Sequence, residues 1–384
     1  EKGFAITGVK AYLNEDKKEN ASLALLGELD ALRIPEHAFA NPETNAAHCC
    51  GHHAQMAGVF GAALALTVPE IAEKLDGQVV FFATPAEEYG EIEFKNQLRE
   101  QGKIRYGGGK CELLRIGAFD DIDLCLTHHI RPGNEILVGS GTGNGFVSKV
   151  IRVLGKASHA AGAPEKGVNA LSAASLGLQA LGLNRETFRD EDCVRVHPII
   201  TKGGNLVNVI PDEVVVETLV RGKTIEAFTD AAKKTDRSFK AGAIAMGAKV
   251  EISTLPGYLP TLAEEALPEL KHAAEISASG IPVIEASGHA GGSTDVGDVQ
   301  HLMPVYTFNT GGVKGGLHQI DFEVTDEEEA YIVTAKMFAL AAYGLLKEKA
   351  QRSRELVDQY EPVFKNSAEY VEFMEQFDSK EIFE

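Results

Sequence analysis

The sequence predicts an α/β protein with a mixed, mostly parallel sheet in a first domain and an inserted α+β domain. In the first domain, an apolar run at 78–84 has the composition of a strand buried on both faces of a sheet, and it follows an Ala- and Gly-rich helical stretch at 54–66. Between 146 and 255 the order changes to β-α-β-β-α-β, the ferredoxin-like split βαβ module. A length of 384 residues suits two such domains.

The individual elements follow from local periodicity and from turn residues. The first domain is predicted to have strands at 4–13, 22–29, 78–84 and 121–127, and a loop containing a helix at 89–110. The glycine-rich run 139–145 indicates a boundary. The inserted module then has a strand at 146–154, a helix at 167–183, strands at 194–200 and 213–220, a helix at 224–246 and a strand at 249–255.

The first domain is expected to resume after this module. We predict a helix at 260–277, a strand at 305–308, a long helix at 325–349 and a peripheral helix from 352 onward. The domain boundaries are accordingly 1–141 and 258–384 for the first domain and 142–257 for the inserted domain.

Composition narrows the classes of function. A net charge of −19 argues against a nucleic-acid partner, because binding phosphates requires clustered Lys and Arg. Five cysteines without a disulfide-like framework fit a reducing compartment, and we expect a cytoplasmic protein. No apolar run in the sequence approaches the length of a membrane span, so we expect no membrane partner. The chain begins at Glu1 rather than Met, so we expect a processed or truncated product.

Residues 48–53, with the sequence HCCGHH, form the densest group of metal-binding side chains. Thiolate and imidazole suit zinc and neighbouring transition metals. Cys50 and His52 are two residues apart and would point the same way from an extended loop. The alternative is a pair of buried cysteines beside histidines that cap a helix.

Two further polar pairs follow predicted strands. Glu87 and Glu88 come after the run at 78–84, and His128 and His129 after the run at 121–127. Ligands bind beyond the carboxyl ends of parallel strands, where one carboxylate can bind metal while its neighbour acts as a base. Separately, each pair has a plain alternative, a solvated acidic turn or a buried strand-end histidine. The placement of both pairs at the ends of successive strands favours a single metal site to which both contribute.

The chain resembles a known enzyme family in several motifs that occur in a familiar order. These motifs are 26–32 (LGELDAL), 47–52 (AHCCGH), 85–88 (PAEE), 129–132 (HIRP), 155–160 (GKASHA), 208–211 (NVIP), 288–298 and His318. They are similar to the amidohydrolase branch of the metal-dependent aminoacylase and carboxypeptidase G family. Within it, the aminobenzoyl-glutamate hydrolases and dipeptidase-like members are most similar. The resemblance covers nearly the whole chain and implies that the family's first helices precede it.

The resemblance implies a metal site and a general base. Motif by motif, the metal ligands are Cys50, His52, Glu88, His129 and His318. Glu87 matches the general base. The implied cofactor is a divalent metal, zinc or manganese, with one or two ions per subunit. The implied reaction is hydrolysis of an N-acyl amino acid, an aminobenzoyl-glutamate-like conjugate or a dipeptide.

The resemblance also assigns residues of the inserted domain, which would act as a lid and as a dimer interface. His159 matches a histidine that stabilises the oxyanion in the partner's site, so a homodimer is expected. Asn208 matches a substrate-contacting residue, although an Asn at this position is equally typical of a turn. In the first domain, the glycine-rich turn with Gly292, Ser293 and Thr294 is expected to offer backbone donors to a substrate carboxylate.

One position departs from the family pattern. Many relatives have Asp after the Cys-Gly-His motif, but His53 stands there in this chain. The departure leaves the number of ions open. It also keeps open an alternative function, a catalytically impaired relative that binds a small amide or peptide. A redox or structural metal protein is disfavoured, because Cys111, Cys125 and Cys193 lack C-x-x-C spacing.

Overall fold

The structure is a computed structural model that describes residues 1–384. Its strands are β1 (Lys2–Phe4), β2 (Gly8–Leu13), β3 (Ser22–Glu28), β4 (Leu32–Arg33), β5 (Ala46–Ala47), β6 (Gln78–Thr84), β7 (Leu124–Ile130), β8 (Ile136–Val138), β9 (Thr142–Gly143), β10 (Gly145–Leu154), β11 (Arg195–Val196), β12 (Ile199–Lys202), β13 (Glu213–Gly222), β14 (Lys249–Tyr258), β15 (Val283–Glu285), β16 (His289–Ala290), β17 (Val305–Thr310), β18 (Val313–Lys314), β19 (Glu323–Val324) and β20 (Ser379–Phe383). Its helices are α1 (His52–Leu66), α2 (Pro69–Ala72), α3 (Ile92–Glu100), α4 (Gly109–Arg115), α5 (Ala170–Asn184), α6 (Ile225–Met246), α7 (Pro268–Ser277), α8 (Val296–Gln300), α9 (Thr334–Gln359) and α10 (Ser367–Glu375).

The chain forms two compact units. Unit 1 comprises residues 1–142, 261–289 and 295–370, and unit 2 comprises residues 143–260, 290–294 and 371–384. The first change of unit falls inside the glycine-rich run 139–145, where the sequence indicates a boundary.

Unit 1 is built on a mixed eight-stranded sheet with the order β1-β2-β6-β3-β7-β17-β8-β15. The central strands β6, β3, β7 and β17 are parallel, with Leu25 opposite both Phe81 and Leu126. Every residue of β3 and β6 is buried, as expected for strands covered on both faces. The core joins these strands to α1, α7 and α9. The mixed α/β class is therefore confirmed.

Unit 2 is an antiparallel sheet with the order β11-β13-β10-β14-β20, and β12 also pairs with β13. In β13, buried residues alternate with partly exposed ones, because one face of the sheet packs against α5 and α6. The two helices approach closely where Gly242 meets Ala173 and Gly177. A Cβ atom on Gly242 would lie 2.3 Å from the Ala173 carbonyl oxygen, so this contact requires glycine.

Four element predictions differ from the structure. The strand at 4–13 is broken by Ala5 and Ile6, whose positive φ angles turn β1 into β2. The helix expected from 260 begins only at Pro268, a residue that favours the first turn of a helix. The third strand lies three residues later than expected, so His128 and His129 are inside β7. The long helix opens with a π-turn at Glu328–Val333.

The C-terminal stretch is also not one peripheral helix. After α9 and α10, β20 adds an edge strand to β14, with Glu251 opposite Ile382. Residues 371–384 consequently belong to unit 2, whereas the predicted boundaries place all of 258–384 in the first domain. Residues 379–383 (SKEIF) are three polar residues followed by two apolar ones, a pattern too short to distinguish a strand from a helix end.

One helical stretch, Glu328–Gln359, is long and apolar enough to cross a membrane by length and composition alone. Many of its apolar side chains, including Met337, Phe338, Leu345 and Leu346, are fully buried in the core of unit 1, whereas Ile332 is 45% exposed. Packing against the sheet accounts for this composition.

Candidate metal centre

Parallel strands bring polar side chains to one edge of the sheet in unit 1. Glu28 ends β3, Glu87 and Glu88 follow β6, and His129 is the penultimate residue of β7. Cys50 lies just before α1, and His52 is its first residue. Because β3, β6 and β7 are adjacent and parallel, their carboxyl ends place these groups side by side.

Two strained backbone positions present the ligand candidates. Ala86, directly before Glu87, has a φ of 53°, and its carbonyl oxygen accepts a hydrogen bond from the Gly109 amide at 2.9 Å. A Cβ on Gly109 would lie 1.5 Å from the Pro85 carbonyl oxygen, so only glycine fits. His318 has a φ of 63°, and its amide donates to the Cys49 carbonyl oxygen at 2.9 Å. Non-glycine residues held in this region are typical of functional sites.

The five predicted metal ligands lie together. The Cys50 Sγ atom is 3.4 Å from His129 Nε2 and 3.2 Å from His318 Nε2. His318 Nε2 is also 2.8 Å from Glu88 Oε1. Ligand atoms within 4.8 Å of one another form the groups Cys50–His52–His129 and Cys50–Glu88–His318, which share the cysteine.

Hydrogen bonds orient the imidazole rings of His52 and His129. His129 Nδ1 donates to the Ile130 carbonyl oxygen at 2.7 Å, which leaves Nε2 facing Cys50. His52 Nδ1 donates to the Asp30 carbonyl oxygen at 3.0 Å, which leaves its Nε2 turned towards Glu28. A backbone carbonyl on one ring nitrogen is the usual device that fixes a metal-ligating tautomer.

The donor set fits a divalent metal. Three buried atoms in the cluster, His52 Nε2, Glu88 Oε1 and Asp30 Oδ1, lack a hydrogen bond of acceptable geometry. Burial opposes ionisation of the Cys50 thiol, but hydrogen bonds with His129 and His318 outweigh it and lower the pKa to about 6. A thiolate at neutral pH and unsatisfied nitrogen and oxygen atoms are what a transition-metal site requires.

The predicted base, Glu87, lies beside this cluster. Its Oε2 atom is 4.0 Å from His52 Nε2, and Glu28, His52 and Glu87 form a third group of metal-binding atoms. Burial and the neighbouring carboxylates of Glu28 and Asp295 raise the pKa of Glu87 well above its ordinary value. A raised pKa makes a carboxylate a stronger base.

The two other histidines next to the proposed ligands, His128 and His53, pack against aromatic side chains. His128 is buried, contacts Thr310 Oγ1 at 2.8 Å and packs on Phe308. His53 belongs to none of the three groups and packs edge-on against Phe322 and Tyr331. Burial and the nearby His48 and His52 lower the pKa of His53 to about 4, so it is neutral.

The structure also shows a buried ionic network that the sequence did not reveal. Lys110 is fully buried, and its Nζ atom lies 2.6 Å from both Glu28 Oε1 and Asp295 Oδ1. Gln55 Nε2 donates to Glu28 Oε2 at 2.9 Å, and His52 Nε2 is 3.1 Å from the same oxygen. Lys110 therefore fixes the carboxylate that faces the His52 ligand. The only sequence feature that distinguishes Lys110 from other lysines is its position after three glycines.

The other predicted residues lie in unit 2. His159 and Asn208 lie on neighbouring backbone segments, since Ala160 N donates to the Asn208 carbonyl oxygen at 2.9 Å. Gly292, Ser293 and Thr294 lie on a separate turn. On that turn, Ser293 Oγ accepts a hydrogen bond from Arg221 Nη1 at 3.4 Å.

The chain is similar in sequence to several named proteins. The chain is 28% identical to the Xaa-Arg dipeptidase of Mus musculus over 79% of its own length and 64% of that protein's. It is 30% identical to one of the subunits of the p-aminobenzoyl-glutamate hydrolase of Escherichia coli (strain K12), over 60% of this chain and 44% of that protein. The chain thus spans less than two thirds of these relatives.

Solved structures share the fold. A dinuclear metal-binding peptidase of the M20 family from Bacillus subtilis superposes with a TM-score of 0.59 and 24% identity, covering 88% of this chain and 85% of that one. An aminobenzoyl-glutamate utilization protein from Klebsiella pneumoniae gives a TM-score of 0.59 at 20% identity, covering 89% and 75%. The profile of peptidase family M20/M25/M40 matches residues 24–343. By fold, motif order and this match, the chain belongs to peptidase family M20/M25/M40.

Proposed function

We propose that the protein hydrolyses the amide bond of an N-acyl amino acid, an aminobenzoyl-glutamate-like conjugate or a dipeptide, using a divalent metal. The observation that carries this proposal is the convergence of Cys50, His129, His318 and Glu88 next to the mostly buried carboxyl of Glu87. The names of the curated relatives, a dipeptidase and a component of an aminobenzoyl-glutamate hydrolase, support the same reaction class.

The metal would be zinc or manganese, with one or two ions per subunit. Cys50, His52, Glu88, His129 and His318 would hold it, because their ligand atoms converge and two of these atoms, His52 Nε2 and Glu88 Oε1, lack a hydrogen bond of acceptable geometry. A bound ion supplies Lewis acidity, which makes water more acidic and polarises the substrate carbonyl.

Glu87 moves the proton in this proposal. Its carboxylate accepts a proton from the attacking water and passes it to the nitrogen of the leaving amine. The low exposure of Glu87 and the nearby carboxylates of Glu28 and Asp295 favour the protonated form of its side chain, and hence proton uptake. Lys110 stabilises the ionised carboxylates of Glu28 and Asp295, which leaves Glu87 as the carboxyl group of this set that takes up the proton.

Unit 2 would contribute to substrate binding as a lid and dimer interface. His159 Nδ1 accepts hydrogen bonds from the amides of Ala161 and Gly162, at 3.2 and 2.9 Å. This assignment leaves Nε2–H free to act as a donor, which suits stabilisation of an oxyanion in a partner subunit. We propose that Asn208 and the turn Gly292, Ser293 and Thr294 contact the substrate, in a homodimer formed through unit 2.

Removal of the metal tests the proposal. We expect chelated, metal-free protein to lose more than about 100-fold of its turnover of N-acetyl amino acids, dipeptides and aminobenzoyl-glutamate, because both water activation and carbonyl polarisation are lost. Zinc or manganese added at one or two equivalents should restore it. Equal turnover before and after chelation, or no hydrolysis of any member of the panel by reloaded protein, would contradict the proposed function.

A further inference from the structure

A cavity of about 680 Å³ lies at the carboxyl end of β6 in unit 1. Asp30, Pro85 and Glu88 line one side of it. Glu88 is also one of the proposed metal ligands, so the cavity and the metal cluster share a wall. Its volume is in the range of small-molecule binding sites.

The segment 89–106 forms the opposite wall. It contributes Phe94 and Leu98 from α3, and Ile104 beyond it. Lys95 fastens α3 to the metal cluster, since its Nζ atom donates to the Glu88 carbonyl oxygen at 2.6 Å and lies 5.0 Å from the centre of the Tyr89 ring. This hydrogen bond connects α3 to the backbone of Glu88, one of the proposed metal ligands.

The surface of this cavity is mainly apolar, and charged residues of both signs also line it, Lys103 among them. Phe94 and Ile6 line the cavity, with relative exposures of 55% and 50%. Arg33 is 3.8 Å from Glu91, and Glu112 is held by Arg115 at 2.6 Å. Apolar side chains that remain exposed on a concave wall gain free energy when a ligand covers them.

The apolar character of the cavity indicates which half of an amide substrate it would bind. The amine half is an amino acid and carries a carboxylate, which loses hydration against a mainly apolar wall. The acyl half needs no charge. Because Glu88 belongs both to the proposed metal cluster and to the lining of the cavity, an acyl group on a carbonyl held at that cluster can extend into the cavity.

We propose that this cavity binds the acyl group of the substrate and selects bulky apolar acyl groups, of about the size of a phenyl ring, over acetyl. Gly90, Phe94, Leu98 and Ile104 are the residues that set this preference. The inference rests on the proposed hydrolytic function and adds the acyl class to it.

Filling the cavity tests the assignment. A Cβ on Gly90 meets no atom within 4 Å, so Gly90→Leu places a side chain in open space. We expect kcat/KM for an N-benzoyl amino acid to fall at least about tenfold relative to the N-acetyl derivative of the same amino acid, because the phenyl ring is displaced. Gly182→Leu is the matched control, as a Cβ there also meets nothing within 4 Å; it should leave the ratio unchanged.

A second variant removes a wall of the cavity. Phe94→Ala should lower the benzoyl-to-acetyl ratio by about tenfold, because the ring contact is lost. Phe60→Ala, which truncates a phenylalanine on α1 that is 65% exposed, is its control. If neither Gly90→Leu nor Phe94→Ala changes the ratio while N-acyl amino acids are hydrolysed, the acyl-pocket assignment is wrong and the proposed function stands.

Binding of neutral amides separates the two proposals. By NMR titration, we expect benzamide to bind the wild-type protein at least about tenfold more tightly than acetamide, and Gly90→Leu to abolish the difference. Equal binding of the two amides to wild-type protein overturns the inference. Tight benzamide binding that Gly90→Leu removes, in a protein that hydrolyses no amide, keeps the apolar site and overturns the proposed function instead.

Discussion

Replacement of Glu87 by Gln is expected to lower kcat by about 10²–10⁴-fold, the usual contribution of a general base, while the metal content stays unchanged. The amide has the size of the carboxyl group but cannot take a proton from water. Burial and the nearby Glu28 and Asp295 raise the pKa of Glu87, which favours proton uptake by its carboxyl group. The amide of Gln has no such protonation step. Steady-state kinetics and elemental analysis of the same preparation measure the two quantities.

The matched control for this substitution is Glu70→Gln, which changes an exposed glutamate on α2. It should leave kcat and metal content at their wild-type values. A Glu87→Gln protein that keeps wild-type kcat would refute the base assignment. A parallel loss of metal and kcat would instead make Glu87 a ligand, through the group that it forms with Glu28 and His52.

Replacement of Lys110 by Met is expected to lower the free energy of unfolding by about 3–5 kcal/mol, the typical cost of removing one partner of a buried ion pair. The Lys110 ammonium group lies 2.6 Å from carboxylate oxygens of both Glu28 and Asp295, and all three side chains are almost completely buried. The substitution leaves two buried carboxylates without their cation. Urea unfolding of metal-free protein measures the change without a contribution from bound metal.

An exposed lysine provides the comparison. Lys336 is 3.1 Å from Glu328, with side-chain exposures of 49% and 65%, and Lys336→Met should change stability by less than about 0.5 kcal/mol. The double variant Lys110→Met/Asp295→Asn should recover part of the loss, because one of the two unpaired charges is removed. A Lys110→Met protein as stable as the wild type would show that the network does not hold this end of the sheet.

The candidate ligands could be named from the sequence because they lie in short motifs next to strand ends. Cys50 and His52 are two residues apart, and Glu88 follows a buried strand, so local pattern was sufficient to place them. The Lys110–Asp295 contact joins residues 185 positions apart. No local pattern predicts such a pair, because it depends on how α4 and α8 pack.

The same limit explains the errors in the fold. Buried strands such as β6 are recognised by their continuous apolar composition. The turn at Ala5 and Ile6 uses positive φ angles on residues that seldom adopt them, so composition pointed to an unbroken strand. The edge strand β20 is polar and exposed along most of its length, and only its hydrogen bonds with β14 define it.

Anomalous diffraction at the absorption edge of the bound metal would locate the proposed metal site without reliance on activity. Crystals of the metal-loaded, active protein should show a peak within about 2.0–2.3 Å of Cys50 Sγ and the Nε2 atom of His129, the bond lengths typical of zinc. Glu88 or His318 should complete its coordination. A fully loaded, active protein whose only anomalous peak lies away from Cys50 would contradict the proposed metal centre.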